Sequence, residues 1–201
     1  PAVAKDDIQF AEKLAEFGYF DLAKDVCTEI EKSPKSTKDD LSALQLVSAQ
    51  INKSMADAER DPEKKKQLFE AAIRNYEEFI SKNSSHPQLA SAQFKIAELY
   101  QGKGSNLIEQ IKQESDKAKR AALTSEADGI FMSATDYLEK LVRVFHGNAE
   151  KENELMQARY LQCVGYYLHA SLFIDDRGRQ EPLAKKAIAT IEEMQWGYDE
   201  G

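Results

Sequence analysis

Few side chains in this chain have the types and spacing that chemistry requires, and where they fall bounds the functional class. The three histidines, His86, His146 and His169, stand apart in sequence, so none pairs with another on adjacent helical turns as a zinc ligand would. His86 and His146 fall in turns, where capping or solvation is the ordinary role. His169 follows Tyr166 on a helical stretch, either as a packing histidine or as a contact lining a groove. Gly102-Lys103-Gly104-Ser105 has a phosphate loop's residue types without its spacing or its preceding strand. Cys27 and Cys163 make no Cys-x-x-Cys pair and sit on apolar helical faces, which fits buried thiols. The acidic pairs Glu77-Glu78 and Glu192-Glu193 are neighbours on helices and diverge too far to share a substrate. The sequence thus predicts no catalytic residue, no metal site and no cofactor, and the chain is expected not to be an enzyme.

The remaining route to function is binding, and composition narrows it. The chain has 201 residues, of which 42% are hydrophobic and 31% charged, enough for a substantial core. The formal charge of −8 disfavours nucleic acid as a ligand. The basic clusters Lys64-Lys65-Lys66 and Lys117 with Lys119-Arg120 lie beside acids on helices and read as solvated faces. No apolar run reaches the roughly 20 residues of a membrane helix, so no insertion is expected within this chain.

Only 9 glycines and 5 prolines, with little strand-like alternation, point to helix nearly throughout. The expected helices run from Asp6 to Phe17, Phe20 or Asp21 to Lys32, Asp39 to Ala58 and Asp61-Pro62 to Lys82. The next covers Pro87 to Gln101 and stops at Gly102-Lys103-Gly104. A very long helix, Ser105 to Phe145, is then capped by Ser105, with a kink at Gly129, and spans about 60 Å if straight. Two more run from Ala149 to Ile174 and from Glu181-Pro182 to Trp196. The buried stripe of the first helix is expected at Ile8, Phe10, Ala11, Leu14 and Phe17, and that of the third includes Leu41, Leu44, Val47, Ala49 and Ile51. The small-residue entry Pro1-Ala2-Val3-Ala4 and the end after Trp196 suggest a piece of a longer protein.

One register repeats in the second helix of each pair: Phe20-Ala23-Cys27-Ile30, Phe69-Ala72-Tyr76-Phe79, Phe131-Ala134-Leu138-Leu141 and Ala184-Ala187-Ile191-Met194. The alanine at the second place lets two helices approach closely. The first helices answer with a small residue among larger ones: Phe10-Ala11-Leu14, Val47-Ser48-Ile51, Ile96-Ala97-Tyr100 and Val164-Gly165-Leu168.

This pattern resembles the tetratricopeptide repeat family. Gly18-Tyr19-Phe20-Asp21-Leu22-Ala23 looks like the family's Gly-Asp-Tyr-x-x-Ala turn, and Tyr76 to Tyr100 resembles the repeats of bacterial exported members. The implied fold is all-α, a TPR-like α-solenoid of about four antiparallel helix pairs with elongated helices, forming a single domain over 1–201. The register alanines lie 49, 62 and 53 residues apart, against a family period of about 34. The extra sequence falls at the tips of pairs two to four and should make them project.

The resemblance implies a non-catalytic interaction scaffold that binds a protein or peptide, in the periplasm or cell envelope of a bacterium, with the cytoplasm as the alternative. Its groove positions fall at Ile8, Glu12 and Glu16, then Gln45, Ala49 and Asn52, then Phe94, Glu98 and Gln101, and finally Arg159, Gln162, Tyr166 and His169. The same positions are equally suited to packing against elongated neighbours. Two alternatives stand beside this reading. One is a homo-oligomeric self-assembly module using Met194, Trp196 and the end of the last helix. The other is a regulatory domain fused to an enzyme or a membrane motor.

Overall fold

The computed structural model describes the backbone of residues 3–196 and the side chains of residues 6–61 and 64–194. Pro1-Ala2, the stretch after Trp196 and the Trp196 side chain lie outside the described residues. Within them the protein is all-α. Eight helices are packed in sequential antiparallel pairs: α1 (Val3–Glu16) with α2 (Phe20–Lys32), α3 (Lys38–Ala58) with α4 (Pro62–Lys82), α5 (Leu89–Gln113) with α6 (Lys117–Phe145), and α7 (Glu152–Leu172) with α8 (Arg177–Trp196). The chain divides into two compact units, Pro1–Ala92 and Gln93–Gly201, with the boundary inside α5.

In the first unit, local chemistry sets the ends of helices. Gly18 takes φ +81°, and the N–H groups of Gly18 and Tyr19 bond back to the carbonyls of Ala15 and Leu14. Only glycine reaches that conformation cheaply, so α1 stops there. Thr37 and Asp40 form a reciprocal capping box at the start of α3. At α4, the Asp61 carboxylate accepts the Lys64 N–H at 3.0 Å. Ala11, Ala15 and Ala23 are almost fully buried, with Cys27, Ile30, Leu44, Val47 and Ile51 around them. The register expected for the first two pairs holds at Ala23, Cys27, Ile30, Ala72, Tyr76 and Phe79. It fails at the edges: Phe10 is 55% and Phe17 74% exposed, and Leu41 is also exposed. Phe10 and Leu41 lie on the exposed faces of α1 and α3, and Phe17 lies in the turn just past α1.

The second unit departs further from expectation. Gly102-Lys103-Gly104 does not end α5, which continues to Gln113, and Ser105 is no cap; its hydroxyl bonds back to the Gln101 carbonyl at 2.9 Å. Two glycines in a helix cost about 1 kcal/mol each relative to alanine. Against this, Leu107 and Ile108 are buried on Ala127, Ile130 and Phe131 of α6, and burial of one such side chain offsets about 1.5–3 kcal/mol. Burial wins. The span expected as one 60 Å helix is therefore divided, 105–113 completing α5 and Lys117–Phe145 forming its antiparallel partner α6, parted where the Asp116 carboxylate accepts the N–H groups of Ala118 (2.8 Å) and Lys119 (3.0 Å).

Pairing of α5 with α6 is fixed by side chains in succession. Phe94 stacks on Phe145 and Tyr100 on Tyr137, with ring centroids 6.2 and 6.1 Å apart. A Cβ on Gly104 would stand 2.6 Å from the Phe131 ring, so the glycine allows that ring to lie directly on the α5 backbone. A 3-10 turn (Ala149–Lys151) precedes α7. The last helix starts at Arg177, ahead of the expected Glu181-Pro182, because the Asp176 carbonyl accepts the Gln180 N–H at 2.9 Å and begins the helix upstream. In the fourth pair Ala187 is buried as expected, but Ile191 is 45% exposed and Thr190 is buried beside it instead.

Candidate functional site

The residues expected to line a groove fall into two sets. Glu12, Gln45 and Asn52 are half-buried in the first unit. Burial, then the charge of Glu16, raises the Glu12 pKa against the opposing pull of Lys13. Asn52 borders a cleft of about 270 Å³ between α2 and α3, shared with Lys24, Cys27, Glu31 and Ser48. Burial pushes the Cys27 thiol up, which leaves it protonated and unreactive. Ile8 and Ala49 belong to the core.

In the second unit Phe94, Gln101, Tyr166 and His169 are buried, and this corrects their expected place on an open groove. Phe94 is occupied by Phe145. Gln101 reaches across to α7, where its Nε2 donates to the Leu161 carbonyl at 2.7 Å, and Gly165 makes room for that amide. Tyr166 donates to Glu139 Oε1 at 3.1 Å and accepts a longer bond from Gln162. Burial, then the charge and hydrogen bond of Glu139, pushes the Tyr166 pKa up to about 12. Glu98 stays at the surface with Lys95, and Arg159 ties α7 to the Glu193 carbonyl on α8.

His169 stands at the centre of the one cluster that looks like a site. Its Nε2 lies 2.6 Å from Asp128 Oδ1, and its ring sits between those of Phe131 and Phe173 at 5.4 and 5.6 Å. Arg179, from the first turn of α8, holds the other Asp128 oxygen and lies 3.7 Å over the Phe173 ring. Burial opposes ionisation of Asp128, but the hydrogen bonds and charges of His169 and Arg179 together outweigh it, so its pKa is lowered. With the imidazole stacked on Phe131 and beside the tilted Phe173 ring, the cluster joins α6, α7 and α8 as a charged clamp. Among the described residues, no group of three or more His, Cys, Asp or Glu side chains could hold a metal ion. Sequence reasoning missed Asp128 and Arg179. The available signal was an acid three residues before Phe131, on the buried stripe of α6.

Outside the clamp lies a cleft of about 410 Å³ lined by Lys117, Arg120, Thr124, Ser125, Asp128 and Arg179. A different surface runs along α7, where Tyr160 and Tyr167 are exposed seven residues apart, with Ile174 exposed in the turn just beyond the helix. Such spacing places the two tyrosines on one face of the helix. The antiparallel neighbour α8 adds exposed Ile188 and Ile191. No protein-family model, no curated protein and no solved structure matches this chain. No described helix is long and apolar enough to cross a membrane.

Proposed function

We propose that this chain is a non-catalytic, TPR-like helical-repeat scaffold that holds a protein partner. The observation that carries this reading is the set of exposed large apolar side chains on α7 and α8. Tyr160 and Tyr167 on α7 and Ile188 and Ile191 on α8 remain exposed, as does Ile174 in the turn between the two helices. Exposed apolar residues are common singly, but a pair one heptad apart on a helix, Tyr160 and Tyr167, matches the contact spacing of another amphipathic helix. The partner is therefore a protein that offers such a helix. The similarity of Tyr76 to Tyr100 to exported bacterial repeats supports a cell-envelope setting.

The test is to isolate the native protein with its partner cross-linked, then repeat with Tyr167→Glu combined with Ile188→Glu. Both side chains are exposed, so the melting temperature should hold while the cross-linked partner is lost. Retention of the same partner by the folded double variant would reject this face.

A second occupant is favoured by one observation. In the first unit Phe10 on α1 and Phe17 just past its end are also exposed, with half-buried Leu14 between them. Exposed large apolar side chains in both units suit self-association, so the homo-oligomer is the second reading. Sedimentation that stays monomeric across a wide range of concentrations removes it.

A further inference from the structure

The first turns of α6 present Lys117, Arg120, Thr124 with Ser125, and then Asp128 on one face, at helical spacings of three and four. Further along α6 that face is closed by the stacked rings of Phe131 and His169. Toward its start, the face is met by Arg179, and the result is the cleft of about 410 Å³, within the size range of small-ligand sites.

We propose that this cleft binds the dianion of a phosphate monoester. Three cations line it against the single carboxylate of Asp128, leaving an excess of two positive charges in a chain whose formal charge is −8. The two guanidinium groups are already oriented. Arg120 donates through Nε and Nη2 to the Glu114 carbonyl, and Arg179 donates through Nη2 to Asp128 while resting on Phe173. Arg120 Nη1 and Arg179 Nε and Nη1 make no further hydrogen bond among the described residues. The nearest acids in sequence, Glu114 and Asp116, do not line the cleft. Asp116 is engaged by the N–H groups of Ala118 and Lys119, and Glu114 by that of Asp116. Donors that are held in place but not used up, converging from two helices, suit the forked recognition of phosphate by arginine.

Charge selects among the anions. A monoester dianion balances the excess of two, whereas a carboxylate leaves one charge uncompensated. A nucleic-acid backbone would bring many more charges against a strongly acidic chain. The site lies apart from the residues of the proposed partner face, and it stands or falls independently of that reading.

The test is a titration of the whole chain with inorganic phosphate at constant ionic strength, followed by backbone amide shifts, with acetate as the comparison anion. Saturable shifts confined to residues 117–128 and the neighbourhood of Arg179 are expected. Lys117→Gln and Arg120→Gln, both at exposed positions, should each weaken binding about tenfold with unchanged melting. A second arm compares a phosphoserine peptide with its unphosphorylated form. Tighter binding of the phosphopeptide than of inorganic phosphate places the monoester on a protein side chain. Equal binding places it on a small molecule, and either outcome sustains the site. Absent shifts, equal shifts with acetate, or binding indifferent to both substitutions would overturn it.

Discussion

The pairs α1–α2 and α5–α6 solve the same packing problem by different means. The first joins helices of 14 and 13 residues through a glycine turn and brings them together on alanines, with Ala11, Ala15 and Ala23 almost fully buried. The second joins helices of 25 and 29 residues and fills the interface with stacked rings, one of which lies on the bare backbone of Gly104. Small-on-small contact needs only local periodicity. Ring-on-glycine contact needs a residue far along the chain to arrive in the right place, and no nearby sequence announces it. The same holds for Gln101 on Leu161 and His169 on Asp128, which are 60 and 41 residues apart in sequence.

The largest expected effect tests the ring-on-glycine contact. Phe131→Ala should cost about 3–5 kcal/mol by chemical denaturation, because a fully buried ring leaves a cavity against α5. In the same experiment Gly104→Ala should cost about 1–3 kcal/mol in the wild type but little once Phe131 is alanine. Additive losses would mean that the glycine serves something other than the ring. Next comes Ala23→Leu on the alanine side of the comparison. It should overpack the α1–α2 crossing by about 1–3 kcal/mol, and an unchanged melting temperature would show that pair to be looser than its burial implies.

A smaller effect separates the clamp from both pairs. The folded-state pKa of Asp128 is lowered, so its ionised form contributes stability above the unfolded-state value near pH 4, and that contribution disappears as pH falls through the folded value. Asp128→Asn should therefore cost about 1–2 kcal/mol at neutral pH and converge with the wild type in acid. A constant difference across pH would remove the charge from the explanation. The smallest effect has the opposite sign. Gly102 is helical and a Cβ there meets nothing within 4 Å, so Gly102→Ala should stabilise the second unit by about 0.5–1 kcal/mol in thermal unfolding. Two glycines two residues apart, one replaceable and one not, give the sharpest contrast between exposed backbone and a packed crossing.

Much of the fold was legible in the sequence where the decisive contacts were short-range. The stop at Gly18, the Asp61 cap and the buried places Ala72, Tyr76 and Phe79 follow from neighbouring residue types. Of the candidate sites, His169 was visible as an oddity on its helix, while its partners Asp128 and Arg179 were not, because they lie on other helices.

Sequence by itself determined that this protein is helical, that the helices pair in order, and that alanines hold the close crossings in the first unit. Tertiary structure decided whether Gly102-Lys103-Gly104 stops a helix or lets a ring approach one, since Phe131 and the burial of Leu107 and Ile108 outweigh the cost of helical glycine. It also decided that Phe94, Gln101, Tyr166 and His169 are interior. Their residue types suit a groove or a core alike, and only the neighbours that cover them settle which.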